Sequence, residues 1–372
     1  MKSKILLLAK SIDGGTGTFV NSILKLENKK LSIVPMVLEK PSYRHVTRSS
    51  FKYFAQMKHY PEDYGATLKN VFTFTRELFW VRKTIKKEKP DLLLGIDIHS
   101  NLLLTMNRYF FFKGMPIILT THTGIRETLL EKASPGATFL IKNFISFFYK
   151  RASEHICVSK YVARSINNTL ELNTEPDVIY NGIKKRKLLI SPLKENSPIF
   201  INISRLTKQK DHKTLLRAFE KVNLRLPKAR LLVVGEGPEK KHLVNFVKKQ
   251  KIGNVEFLGW RKNPSKILRK VNIFVLASHR EGLPFSLIEA MSYSKAVIST
   301  KTPHGPQEVI GNNEYGILVP MRDEGKLASA MLKTAKTKVY KKYAKRAHER
   351  SKDFTEAKML KEYRKVINES IN

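Results

Sequence analysis

Residues 271–291 read VNIFVLASHREGLPFSLIEAM. The first eight, Val271 to Ser278, are short, apolar and rich in β-branched side chains, as a buried strand requires, and they run into the polar turn His279-Arg280-Glu281-Gly282. A helix is expected to start near Pro284, Phe285 and Ser286. The first backbone N–H groups of such a helix have no intrahelical partner, and the macrodipole places about half a positive charge there, so the corner suits an anion such as a phosphate or diphosphate. Glu281 and Glu289, separated by seven residues, would repel a phosphate but accept hydrogen bonds from sugar hydroxyls. A sugar carried on a phosphate satisfies both halves of the corner.

The same strand, turn and helix pattern recurs on both sides of this stretch. Strand-like runs at 4–9, 31–37, 91–96, 116–120, 154–159 and 176–180 form one series, and runs at 198–204, 230–235, 254–258, 272–277 and 296–300 form another. Helical patterns separate them, so the expected fold class is α/β, with two Rossmann-like, doubly wound parallel-sheet domains facing a cleft. Ser191-Pro192 and Ser197-Pro198 mark a linker. The boundaries read as a first domain over 1–184, a linker over 185–197, a second domain over 198–350 and a closing helix over 351–372. The last forty residues carry 13 basic and 5 acidic side chains at helical spacing.

Composition narrows the function classes. With 372 residues and 42% hydrophobic content, the chain can bury a core in each of two domains. Cys157 is the single cysteine, so no disulfide forms within one chain, no Cys/His spacing marks structural zinc, and a reducing cytoplasm is the expected compartment. The apolar run ILLLA after Lys4 is shorter than the ~7 to 15 residues of a signal-peptide core. No uninterrupted apolar stretch approaches the ~18 residues that span a bilayer. The net charge is +37. Of this, residues 1–180 hold +12 and residues 181–372 hold +25, and Lys184-Lys185-Arg186-Lys187 and Lys341-Lys342 are runs suited to anionic lipid or nucleic acid.

On these residues the chain resembles the retaining glycosyltransferases of family four, which share a B-type two-domain fold, in their bacterial surface-polysaccharide form. The resemblance rests on the Glu281 to Glu289 segment, on Arg205-Leu206 followed by Lys210, on Gly235-Glu236-Gly237-Pro238 at a strand end, and on the later strand turns Val255–Gly259 and Tyr315–Val319. It is specific over residues 178–320 and thinner before residue 150, where Gly14-Gly15-Thr16-Gly17, Thr120-Thr121-His122 and Cys157-Val158-Ser159 carry it. Asp211 departs from the pattern, because the family usually has glycine after the lysine. The Gly15-x-Gly17 loop lacks the third glycine of a dinucleotide fingerprint.

The resemblance implies a role for each matching residue. Departure of a diphosphate develops negative charge on its oxygens, which Arg205 and Lys210 would stabilise without a metal. Glu281 would contact donor sugar hydroxyls and His122 would stand near the donor sugar. Glu289 would accept from the ribose, and the backbone N–H groups of Phe285, Ser286 and Leu287 would complete the diphosphate cradle. Gly15 and Gly235 permit close backbone approach, and the turn Gly259-Trp260-Arg261 lies where the base is read, with Arg261 beside it. Retention of configuration by front-face displacement also follows from the resemblance, as does a closing helix, with 354–367 the candidate, that packs back on the first domain. No cofactor is expected beyond the nucleotide-sugar donor, and residues 302–310, TPHGPQEVI, lean the donor toward a UDP-sugar.

The expected acceptor is a lipid-linked glycan of lipopolysaccharide, O-antigen or capsule type, reached by a chain lying peripherally on the inner face of the cytoplasmic membrane. Residues 135–151, PGATFLIKNFISFFYKR, are aromatic and end in two cations, which fits a helix in the membrane interface, although an ordinary packing helix is the commoner case and Phe139, Phe144, Phe147 and Phe148 are also what a core helix needs. The alternatives are a basic nucleic-acid-binding protein, for which charge speaks but no motif does, and a non-catalytic transferase-like domain.

Overall fold

The computed structural model of the chain describes residues 2–12, 14–39, 53–57, 68–125, 135–303 and 305–371. The chain divides into two compact units, Met1–Tyr180 with Lys358–Asn372, and Asn181–Ala357.

The first unit is built on seven strands: β1 (Ser3–Ala9), β2 (Leu31–Glu39), β3 (Tyr53–Met57), β4 (Leu92–Gly95), β5 (Ile117–Thr121), β6 (Glu154–Cys157) and β7 (Asp177–Val178). Their order is β3-β2-β1-β4-β5-β6-β7, every pair parallel. Consecutive residues Ile5 to Ala9 are all buried, so both faces of β1 are covered, which is why the run reads as unbroken hydrophobicity. β3 has no counterpart among the expected runs; its five residues lie between Lys52 and Lys58 and, among the described residues, pair with β2 at the sheet edge.

The second unit has six strands: β8 (Ile199–Ile203), β9 (Arg230–Val234), β10 (Val255–Gly259), β11 (Ile273–Leu276), β12 (Ala296–Thr300) and β13 (Ile317–Val319). The order is β10-β9-β8-β11-β12-β13, again all parallel. Phe200, Leu215, Phe219, Leu231, Ile273, Ile298 and Met331 join strands and helices in one core. Strand order reverses between β8 and β11, and between β1 and β4 in the first unit. At such a switch point the two loops leaving adjacent strands diverge to opposite sides and open a crevice at the carboxyl edge. Arg205 to Lys210 and Glu281 occupy those two loops in the second unit.

The stretch 185–197 is not a free linker. Division between the units falls at Tyr180/Asn181, and the stretch is strapped onto the second unit. Leu189 N donates to Ser294 Oγ at 3.1 Å, Asn272 Nδ2 to Pro192 O at 2.9 Å and Tyr340 OH to Ser191 O at 2.9 Å. The buried Lys295 donates to Ser191 Oγ at 2.6 Å and Val271 O at 3.0 Å, and its burial lowers its pKa to about 8. Serine and proline signal a loop in sequence, but the carbonyls they leave free of ladder bonding are what core side chains grip. At the other crossing, Ile183 N donates to Phe354 O at 2.9 Å and Glu356 N to Ile183 O at 2.8 Å, after which the helix Glu356–Ile371 enters the first unit's contacts from Lys358 onward. No described helix is long and apolar enough to cross a membrane.

Candidate functional site

β8 ends at Ile203, the N–H of the next residue, Ser204, donates to Val234 O at 3.1 Å, and the loop beyond is sewn to the Gly235–Pro238 turn. Leu206 N donates to Glu236 O at 2.8 Å and Glu239 N to Leu206 O at 3.0 Å. The two backbones come so close that a Cβ at Gly235 would lie 1.9 Å from Ser204 O, and one at Gly237 2.3 Å from Leu206 O. The loop closes in a turn over Lys208–Lys210, and Asp211 then takes a left-handed conformation, φ 42° and ψ 48°. Aspartate tolerates that region where most residues do not, so it reproduces the backbone of the glycine it replaces. Its carboxylate adds two functions, accepting from Thr214 N at 3.3 Å to cap helix His212–Arg225 and holding His279 Nε2 at 2.7 Å.

His279 belongs to the loop after β11, so Asp211 ties the two switch-point loops together. His279 N donates to Gln209 O at 2.8 Å, and Gln209 Nε2 donates to Arg280 O at 2.7 Å. Between these ties lies the central contact: Lys210 Nζ donates to Glu281 Oε1 at 2.5 Å, and Ser278 Oγ donates to the same oxygen at 2.6 Å. Glu281 is only 7% exposed. A carboxylate that deep is held by its ammonium partner and its hydroxyl donor together.

The helix after this loop spans Phe285–Ser292 and begins after Pro284. Leu287 N and Ile288 N both turn back to Pro284 O, at 3.1 and 3.2 Å, so the expected contribution of Leu287 to an anion cradle is corrected: its N–H is spent within the helix. Phe285 N and Ser286 N donate to no described acceptor and remain the donors at this terminus. Glu289 is half-buried, its pKa raised by burial and drawn back by the charge of Arg186. Arg186 stacks 3.9 Å over the Tyr293 ring. In sequence Arg186 is indistinguishable from the surface run around it; only the fold brings it to Glu289. Asn181, 2% exposed, donates to Leu283 O at 3.2 Å and fixes the loop ahead of the helix. Its one sequence signal is the Asn181-Gly182 pair.

Other expected residues stand apart from this cluster. Arg205 and Arg261 are exposed, and neither side chain makes an ion pair among the described residues. Gly259 has φ 68°, and its N-terminal neighbours run along β10 beside β9. No three His, Cys, Asp or Glu side chains among the described residues gather as a metal site. His304 lies outside the described residues. Gly15 and His122 belong to the first unit, after β1 and β5. There Phe19, from the helix that Gly15 opens, packs edge-on against His122 with ring centroids 4.6 Å apart, and Tyr363 of the closing helix packs against Phe19 at 5.5 Å. Burial lowers the His122 pKa to about 4, against a smaller opposing pull from Asp97, so the ring is neutral at pH 7. Asp97, which sequence reading passed over, accepts from Lys10 N at 2.6 Å and Ser100 N at 2.9 Å and so joins the loops after β1 and β4.

Two further histidines share the His122 condition. His155 and His212 are 8% and 2% exposed, and burial lowers each to about 4 from 6.5. The unfolded chain therefore takes up protons first as pH falls, so the stability they hold is complete above pH 6.5 and lost toward pH 4. Each is expected to remove about 2 kcal/mol between pH 7 and 5. Urea unfolding of His155→Gln should show a pH 7 to 5 loss smaller by that amount; an unchanged loss would assign the acid sensitivity elsewhere.

Comparison with known proteins bears on the whole chain. Two family models match and meet near the unit boundary: Glycosyltransferase Family 4 over residues 47–187 and Glycosyl transferases group 1 over residues 184–354. An uncharacterized glycosyltransferase of Methanocaldococcus jannaschii is 29% identical over 347 residues, covering 81% of this chain and 84% of the relative. The N-acetylgalactosamine-N,N'-diacetylbacillosaminyl-diphospho-undecaprenol 4-alpha-N-acetylgalactosaminyltransferase of Campylobacter jejuni is 27% identical over 298 residues, covering 76% and 79%. Among solved structures, sucrose-phosphate synthase from Thermosynechococcus elongatus superposes with a TM-score of 0.79 at 19% identity, over 99% of this chain and 100% of that one, which shows the glycosyltransferase B-type fold. The two models together span residues 47–354, and the chain belongs to the family-four, group 1 glycosyltransferases.

Proposed function

We propose that the chain moves a hexose or N-acetylhexosamine from a nucleotide sugar, a UDP-sugar in preference, to a growing lipid-linked surface glycan, with retention of anomeric configuration. The Lys210–Glu281 contact at the head of helix Phe285–Ser292 carries this reading, because it sets a cation for the leaving diphosphate beside a carboxylate for the sugar. Arg205, exposed and uncommitted to any described ion pair, would add its planar fork to the diphosphate oxygens, and Phe285 N and Ser286 N would complete the cradle. Two cations and two amides supply the charge compensation that other transferases take from a metal ion. Glu289 would accept from the ribose hydroxyls, and the charge of Arg186 opposes the rise in its pKa that burial causes. Gly235, Gly259 and Arg261 would line the nucleoside side. In the first unit, neutral His122 would meet the donor sugar as a hydrogen-bonding group, and the Gly15 loop would admit substrate close to the backbone.

No nucleophilic side chain is needed on this reading, because the departing phosphate itself accepts the proton of the attacking hydroxyl on the face it leaves. The lean to UDP rests on the likeness of residues 302–310 to surface-polysaccharide enzymes. The lipid-linked acceptor is supported by the Campylobacter relative, whose name places its substrate on diphospho-undecaprenol. The enzyme would then work at the inner face of the cytoplasmic membrane.

Nucleotide release from UDP-, GDP- and ADP-sugars, with membrane lipid extract as acceptor, tests the proposal. UDP released from one UDP-sugar, and lost in Glu281→Ala, is the expected result. GDP or ADP release would move the donor, and silence across the panel would overturn the reading.

A further inference from the structure

We propose that an aromatic face shared by helices Ile98–Phe111 and Pro135–Tyr149 seats the first unit on an anionic lipid bilayer, an inference that rests on the lipid-linked acceptor proposed above. Six rings from the two helices form a connected network. Tyr109 lies 5.0 Å from Phe110, 5.5 Å from Phe147 and 5.8 Å from Phe148, while Phe110 lies 6.1 Å from both Phe111 and Phe148, and Phe144 5.1 Å from Phe148. Of these, only Phe148 is a core residue, at 3% exposure. Phe110, Phe144 and Phe147 are 53%, 47% and 42% exposed, and Phe139 and Leu140 on the same helix reach 63% and 69%. On sequence alone, residues 135–151 suit an ordinary packing helix ahead of an interfacial one. The fold separates its phenylalanines, one inward and three outward, and adds a second helix that sequence did not associate with the first. Single exposed apolar side chains are ordinary, whereas a contiguous aromatic face marks a contact surface.

Charge selects the occupant. Neither helix contains an Asp or Glu. Arg151 stands 3.6 Å over the Phe147 ring and 5.3 Å from Tyr109, and Arg82 stands 3.8 Å over Phe111. Lys113 lies just past Phe112 at the end of the first helix, Lys150 follows directly on the second, and Lys142 pairs with Glu171 at 3.6 Å. Rings that enter at headgroup depth with cations extended along them toward phosphates are the arrangement of a helix lying in the plane of an anionic interface. Two helices that carry no acid of their own, within a field of +37, match that surface in both properties.

Topology connects the face to the chemistry. Helix Pro135–Tyr149 is the crossover between the parallel strands β5 and β6, so it runs back from the sheet edge where His122 emerges to the edge where β6 begins. Its 15 residues cover about 22 Å at 1.5 Å each. A bilayer lying along the helix therefore extends to the edge that carries His122.

Sedimentation with vesicles tests the docking face in the full chain. Wild type is expected to pellet with phosphatidylcholine–phosphatidylglycerol vesicles at low salt and to stay in solution with phosphatidylcholine alone. Phe110→Ser/Phe139→Ser/Phe147→Ser should lower the partition coefficient at least about tenfold, the loss of three apolar rings from the interface. Phe139→Ser/Leu140→Ser changes only strongly exposed positions and should lower it severalfold with the fold intact. Glu281→Ala should abolish sugar transfer and still pellet, so failure of the transferase reading and failure of the docking face are read separately. Wild type that ignores both vesicles, variants that bind as wild type does, or RNA that displaces wild type while the variants lose RNA as well, would each overturn the proposal.

Discussion

Lys210→Met is expected to lower nucleotide release about a thousandfold, the scale on which a single charge-stabilising donor contributes to a developing anion. It should also destabilise the chain by about 3 kcal/mol, because it leaves Glu281, 7% exposed, with Ser278 Oγ as its remaining described donor. The two effects separate in a double variant. Lys210→Met/Glu281→Gln removes the orphaned charge together with the cation, so most of the lost stability should return while activity stays absent. Urea unfolding and nucleotide release on the two variants check this. Recovery of activity with stability would mean that Lys210 acts only as the counter-ion of Glu281. Loss of activity with no loss of stability in the single variant would mean that Glu281 is hydrated more freely than its burial indicates.

The site was legible where its chemistry is local to a strand end. Residues 271–291 fold as read, strand then loop then helix, because an apolar run, a Gly/Pro turn and a helix-forming run need no distant partner to declare themselves. What sequence could not supply was how one such corner meets another. Asp211 stood out as a departure from a glycine, yet its bond to His279 crosses 68 residues and becomes visible only when β8 and β11 are neighbours. Arg186 was hidden for the opposite reason: among Lys184, Lys185 and Lys187 nothing local distinguishes the one side chain that folds over Tyr293. The stretch 185–197 misled because serine and proline describe backbone freedom in isolation, and the partners that remove it, Asn272, Ser294, Lys295 and Tyr340, lie about the far side of the unit in sequence. Leu287 shows the limit of helix logic, since the first turn satisfies two of its own N–H groups through Pro284 O.

Gly235→Ala is expected to destabilise the second unit by about 4 kcal/mol or more, among the largest effects of any single substitution in the chain. Two independent costs fall on one methyl group. The residue has φ +147°, a conformation that side chains rarely adopt, and the added Cβ would stand 1.9 Å from Ser204 O. That oxygen is main chain, so relief requires the backbone between β8 and Lys210 to move, and rotation of a side chain cannot supply it. The same displacement would pull Leu206 N from Glu236 O, a 2.8 Å bond, and carry Arg205 and Lys210 out of place. Donor turnover should therefore fall further than the unfolded fraction alone explains. Gly325→Ala provides the contrast: it sits inside helix Glu324–Thr334, its nearest neighbour to a new Cβ is Asp323 Oδ1 at 3.5 Å, and it should raise stability by about 0.5 to 1 kcal/mol. Thermal unfolding of both variants decides the point. A Gly235→Ala chain with wild-type stability would mean that the β8 loop yields easily, and a loop that yields cannot hold Lys210 against Glu281 ready for a diphosphate.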